Sequence, residues 1–171
     1  MSEEIKQYSN DGVQNSVSDE ESIENKYLLF RLGDELYGTP LLGVREVVEP
    51  QAPKPIPNTA KHFSGVINIR GEIVGVTDLR TRFAHKAEAG AHMALMVFST
   101  DGGPMAGLVD RVESVISLTE KEIEHNPNVG IEVHREALIG IGKHNKRLIT
   151  LIDLHKVLQA HSLENNRKLA A

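Results

Sequence analysis

The chain has 171 residues, 40% hydrophobic and 25% charged, enough for one domain, or two very small ones, around a single principal core. It has neither cysteine nor tryptophan, which excludes disulfide frameworks, thiolate-held zinc, iron–sulfur clusters and thiol catalysis; Val, Ile and Leu are left to build the core, a composition that favours strands. Residues 1–25, where seven acids face the single base Lys6, carry −6 of a net charge of −5, so the remainder at +1 is nearly neutral and offers no footprint for nucleic acid.

Residues 1–25 are polar, and their isolated Ile5, Val13, Val17 and Ile23 match no sustained period, so this segment reads as a flexible acidic tail. It has no basic start followed by an apolar run, and no stretch of about 18 apolar residues occurs anywhere, so an unexported, soluble chain is expected. Tyr27 to Leu32, the turn Gly33-Asp34 and Glu35 to Gly38 predict a hairpin. Pro50, Pro53, Pro55 and Pro57 exclude a helix or central strand and place a surface loop there. Phe63 to Ile69 and Ile73 to Val76 flank the tight turn Arg70-Gly71, and Asp78 is placed to cap a short helix through Phe83. Met93 to Ser99, Met105 to Val109 and Val112 to Leu118 predict three more strands. Ala137 to Ile141 and Arg147 to Ile152 bracket another turn, before a last helix from Asp153 to about Ala160 and a frayed end beyond Ser162.

An internal repeat underlies this order. Gly65 to Leu79 matches Gly140 to Leu154 at a constant offset of 75, and Phe30 to Val47 matches Phe98 to Val115 at 68 or 69. Within the second match Tyr37-Gly38 lies opposite Ala106-Gly107, and Val44 and Val47 lie opposite Val112 and Val115. Two such copies predict two small β-barrels or curled sheets with pseudo-twofold symmetry. Neither half can bury much alone, so a shared core is expected.

From about Tyr27 to Leu158 these motifs resemble the CheW family, the chemotaxis coupling domain. They are Phe30 to Gly38, Val44 to Val47, Gly65 to Arg80, Gly107 to Val112 and Ile152 to Leu154, and it is their order and spacing together that are specific. Gly75 stands where the family often has Pro. The resemblance implies a mostly β fold: two pseudo-symmetric five-stranded SH3-like barrels packed together, with short helices and a C-terminal helix. It divides the chain into the tail 1–25, a CheW-like domain over 26–160 and a C-terminal tail over 161–171. At this length there is no room for an attached kinase or receiver domain, so a stand-alone adaptor is expected.

The role implied is non-enzymatic. The chain would couple chemoreceptors, the methyl-accepting chemotaxis proteins, to a CheA-type histidine kinase by binding the kinase's regulatory domain and the receptor's cytoplasmic tip at once. It would be cytoplasmic and recruited to membrane-associated receptor arrays, with no insertion of its own and no cofactor. Family position makes Arg70 the leading partner contact, with Glu46 as its electrostatic companion, and a guanidinium presented at a turn can reach carbonyls or carboxylates. Val44, Val47, Val112 and Val115 match groove and interface positions, although a strand-core reading serves each equally. Gly65, Gly71, Gly107 and Gly140 read as backbone devices rather than contacts.

Other functions stay open. The pathway could serve twitching or another output instead of swimming. A metal-dependent hydrolase is the rival class, prompted by Glu132, His134 and Glu136 near His125 and His144; no His-Glu-x-x-His is present, and period 2 alone would put the first three on one face of an extended segment. Phosphate-loop and serine-elbow patterns are missing from the sequence.

Overall fold

The computed structural model describes residues 22–87, 90–127 and 135–170. In chain order it runs β1 (Lys26–Leu32), β2 (Glu35–Pro40), β3 (Glu46–Val48), β4 (Phe63–Ile69), β5 (Glu72–Asp78), α1 (Leu79–Arg82), β6 (Ala94–Thr100) and β7 (Gly103–Val109). There follow β8 (Arg111–Ser117), β9 (Ile123–Glu124), β10 (Leu138–His144), β11 (Arg147–Ile152) and α2 (Leu154–Leu169). Among the described residues no helix is long and apolar enough to cross a membrane.

The strands form two sheets, ordered β8-β1-β2-β11-β10-β9 and β3-β6-β7-β5-β4. Replacing every strand of the second by its repeat partner reproduces the first five of the first: β3 becomes β8, β6 becomes β1, β7 becomes β2, β5 becomes β11 and β4 becomes β10. Neither copy of the repeat therefore makes a sheet alone. The β1–β2 hairpin leaves its own half and pairs with the second, antiparallel to β8 and parallel to β11. In return β6–β7 joins β3, β4 and β5. The first barrel thus holds β1, β2 and β8 to β11, while the second is the contiguous run β3 to β7.

This exchange accounts for the apolar run in β1. Alternate residues of a strand face opposite ways. Tyr27 and Leu29 pack inside the first barrel with Leu36, Leu118, Ile123, Ile149 and Leu151. Leu28, Phe30 and Leu32 face the other way, into a third cluster shared with Met96, Phe98, Met105 and Val109 of the second barrel. β6 is built alike, with Leu95 and Val97 inside the second barrel and Met96 and Phe98 in the shared core. A strand buried on both faces cannot alternate in polarity.

Both short connections into helices use an Asp. The Asp78 carboxylate accepts the Arg80 and Thr81 N–H groups, and Asp153 accepts that of Lys156 at 3.2 Å. Beyond Asp153 the chain departs from expectation, since α2 continues to Leu169. Leu154, Val157, Leu158 and His161 are all buried, at the i, i+3, i+4, i+7 spacing of one helix face. A histidine in the last of these places concealed the continuation, and His161 and Ser162 belong to the packed body instead of a tail.

Candidate functional site

The two repeat-related turns are built alike. Arg70 and Gly71 have φ of 48° and 86°, and Asn145 and Lys146 have 49° and 62°. Positive φ at both central residues is the two-residue hairpin turn whose twist suits the flanking strands. The Asn68 side-chain carbonyl accepts the Gly71 N–H at 2.9 Å and braces the first turn. Arg70, unlike Asn145, is neither Gly nor Asn, so it occupies this conformation against its own preference.

Its side chain is 71% exposed and reaches β3, where Nη2 donates to both Glu46 carboxylate oxygens at 2.6 Å. Beside it Arg45 donates to Glu72 at 2.7 Å. The pair raises the Arg45 pKa and lowers that of Glu72, chiefly through their hydrogen bond. Four charged side chains thus join β3 to the tip of the β4–β5 hairpin, and the structure brings the two residues singled out at this corner, Arg70 and Glu46, into contact.

The first barrel repeats this joint with the charges reversed. Glu113 and Arg147 occupy the places of Arg45 and Glu72, and they meet at 3.3 Å. Arg31 and Arg111 also donate to Glu113, and the Arg31 hydrogen bond is the main reason its carboxyl falls to about 2 from an ordinary 4.5. Sequence reasoning passed over this cluster, although the offsets of 68 and 75 place it opposite the Arg45–Glu72 pair.

The four valines divide by position in the repeat. Val44 and Val112 pack against the shared core. Val47 and Val115 are 44% and 46% exposed and lie on the surface strands β3 and β8. The glycines act on the backbone. A Cβ at Gly65 (φ 131°) would fall on the Lys54 carbonyl, and one at Gly140 would lie 2.5 Å from the Glu124 carbonyl oxygen. At Gly107 it would lie 2.7 Å from Leu79 Cδ1, whereas at Gly71 it would meet nothing within 4 Å. Gly75 borders a cavity of about 220 Å³ lined by Ile56, Phe63, Val66 and Met105; a Cβ there would lie 2.5 Å from Met105 Sδ.

Glu132 and His134 of the rival metal reading lie outside the described residues. Among those described, no three His, Asp or Glu side chains converge as metal ligands. His125 is engaged by the Glu120 carboxylate at 3.0 Å and the Ile139 carbonyl at 3.1 Å.

Comparison with known proteins agrees with this architecture. The profile of the CheW-like domain matches residues 26–162. The chain is 32% identical over 144 residues to the chemotaxis protein CheW of Klebsiella aerogenes, covering 84% of this chain and 87% of that one. It is 27% identical over 155 residues to the chemotaxis protein CheW of Treponema pallidum, covering 87% and 89%. Among solved structures, the scaffolding protein TtCheW from Thermoanaerobacter tengcongensis superposes with a TM-score of 0.69 at 32% identity, over 77% of this chain and 90% of that one. With the profile spanning both barrels and a relative above 30% identity along most of its length, the chain belongs to the CheW family of chemotaxis adaptor proteins.

Proposed function

We infer that the protein couples chemoreceptors to a CheA-type histidine kinase by binding the kinase's regulatory domain and the receptor's cytoplasmic tip at the same time. The observation that carries this reading is the Arg70 corner, set within a body that the CheW-like domain accounts for from residue 26 to 162. An arginine held at positive φ and 71% exposed is poorly explained by stability alone, because an exposed ion pair contributes at most about 1 kcal/mol. It is well suited to contact, since a guanidinium spends only part of its five donors on Glu46 and keeps the rest for a partner's carbonyls or carboxylates. Joining two partners on one body raises the effective concentration of each at the other, so kinase output follows geometry without chemistry on the adaptor. The role lies at the receptor arrays of the cytoplasmic membrane face, reached through protein contacts.

Purified chain, a kinase regulatory domain and a receptor-tip fragment test this directly by pull-down and calorimetry. Wild type should hold both in one complex. Arg70→Glu should lose affinity for at least one of them by about tenfold or more, the size of a modest hot spot. Failure of the wild type to bind either partner would end the adaptor reading; normal binding of both by Arg70→Glu would end the role of Arg70.

A further inference from the structure

The chain passes from the second barrel to the first through one residue, Asp110, between the end of β7 and the start of β8. Its main-chain N–H donates to the Arg31 carbonyl at 3.1 Å. One carboxylate oxygen accepts the Gly33 N–H at 2.7 Å, in the β1–β2 turn of the first barrel. The other accepts from Arg80 Nη1 at 3.2 Å, on α1 of the second. Arg80 is 6% exposed, and Asp78 holds the rest of its guanidinium, with Nε to Oδ1 at 3.0 Å and Nη2 to Oδ2 at 2.9 Å. A buried cation between two carboxylates therefore ties a helix of one barrel to a hairpin turn of the other, at the point where the chain crosses.

The repeat supplies an internal control. α2 follows β11 as α1 follows β5, and it holds the β6–β7 turn. The Asp101 N–H donates to Gln159 Oε1 at 2.9 Å, Gln159 Nε2 donates back to Asp101, and His155 Nε2 donates to the Ser99 carbonyl at 2.8 Å. Positions 101 and 155 are the repeat partners of Gly33 and Arg80. This second joint is exposed and uses a neutral amide and an imidazole, so seating a helix on a hairpin turn in this fold requires no buried cation. Nor is net stability a sufficient reason for one, because desolvation consumes much of the attraction in a buried ion pair. What a buried guanidinium held from two sides does provide is fixed direction.

We propose that Asp110 and Arg80 are positioning residues that lock the angle between the two barrels, and that this lock transmits the binding of a partner on one barrel to the affinity for a partner on the other. The transmission rests on the adaptor reading; the lock does not. Phe83 stacked on Tyr37 at 6.0 Å, and the Tyr37 hydroxyl with His85 Nε2 at 2.9 Å, keep the joint packed when the charges are removed, so the variants are expected to fold.

With no native cysteine, Ile73→Cys and Leu148→Cys place one nitroxide on each barrel at residues 59% and 66% exposed, and pulsed EPR reads the distance between them. The otherwise wild-type chain should give one narrow distribution. Asp110→Asn and Arg80→Met should broaden it about twofold or more at unchanged strand content by circular dichroism. In calorimetry the factor by which the kinase's regulatory domain changes affinity for the receptor-tip fragment should fall towards one in both variants, while each partner alone binds within about twofold of wild type. An unchanged distribution in the folded variants overturns the lock. A wild-type factor of one, or a factor that survives broadening, overturns the transmission. Should Asp110→Asn and Arg80→Met fail to fold, Arg80→Lys, which keeps the charge and loses the planar fork, decides the lock by the same distance measurement. A wild type that binds neither partner overturns the adaptor reading and with it the transmission, and leaves the lock to be judged by the distances alone.

Discussion

Arg70 holds a conformation that costs an L-residue about 1–2 kcal/mol and that asparagine tolerates better. Arg70→Asn would relieve much of that cost and remove an exposed ion pair worth about 0–1 kcal/mol. The two effects oppose each other, so urea denaturation should find stability within about 1 kcal/mol of wild type. Any loss of partner affinity in Arg70→Asn then reports a lost contact, not a damaged fold. Glu113 makes a prediction of the opposite kind. Its folded pKa, about 2, lies below its ordinary 4.5, so its stabilising contribution is complete above about pH 4.5 and disappears as pH falls through 2. In thermal melts against pH, Glu113→Gln should therefore melt below wild type at neutral pH, and the gap should close towards pH 2. A gap independent of pH would show that the carboxylate's charge is not what Arg31, Arg111 and Arg147 respond to.

At the scale of the elements, Gly65 and Gly140 mark two of the three places among the described residues where pairing slips, between Phe63 and Gly65 and between Leu138 and Gly140; the third, between Leu29 and Phe30 against β8, has no glycine. Each of the two glycines lies against another segment's backbone, which cannot move aside as a flexible side chain can. Gly65→Ala should cost more than about 2 kcal/mol, while Gly71→Ala, with open space around it, should cost only the about 1–2 kcal/mol of its positive φ. Urea midpoints of the two variants check that order. The hairpins and the Asp78 cap were legible in the sequence because each depends on residues close together in the chain, and the glycines because the repeat sets Gly65 opposite Gly140, although the Lys54 and Glu124 carbonyls that require them lie elsewhere in the chain. The exchange of β1–β2 with β6–β7 was not, because an alignment of two copies is satisfied equally whether a hairpin pairs with its own copy or the other. β9 escaped notice because it is two residues long and, among the described residues, pairs only with Ile141 and Gly142. Arg70 and Glu46 were found through family position, whereas Arg80 was passed over because a charged residue in a short polar helix ordinarily faces solvent.

At the scale of the molecule, the exchange decides whether the barrels unfold together. Each barrel has its own interior cluster, so separate transitions are conceivable in principle. The shared core opposes this, because Phe30 of the first barrel and Phe98 of the second are both fully buried in it with Leu154 and Leu158 of α2. Unfolding the second barrel would strip the cover from Leu28, Phe30 and Leu32, and the first barrel would then carry an exposed apolar face on β1. At about 1.5–3 kcal/mol for each large apolar side chain returned to water, that penalty rivals the whole stability of a small domain. Scanning calorimetry should accordingly give one transition, with van't Hoff and calorimetric enthalpies equal. Phe98→Ala, expected to cost about 3–5 kcal/mol, should lower hydrogen-exchange protection at Leu118 in the first barrel as much as at Val97 in the second. Loss of protection confined to Val97 would mean that the barrels are energetically separate despite their shared core, and that an adaptor of this build couples its two sides through the polar joint at Asp110 alone.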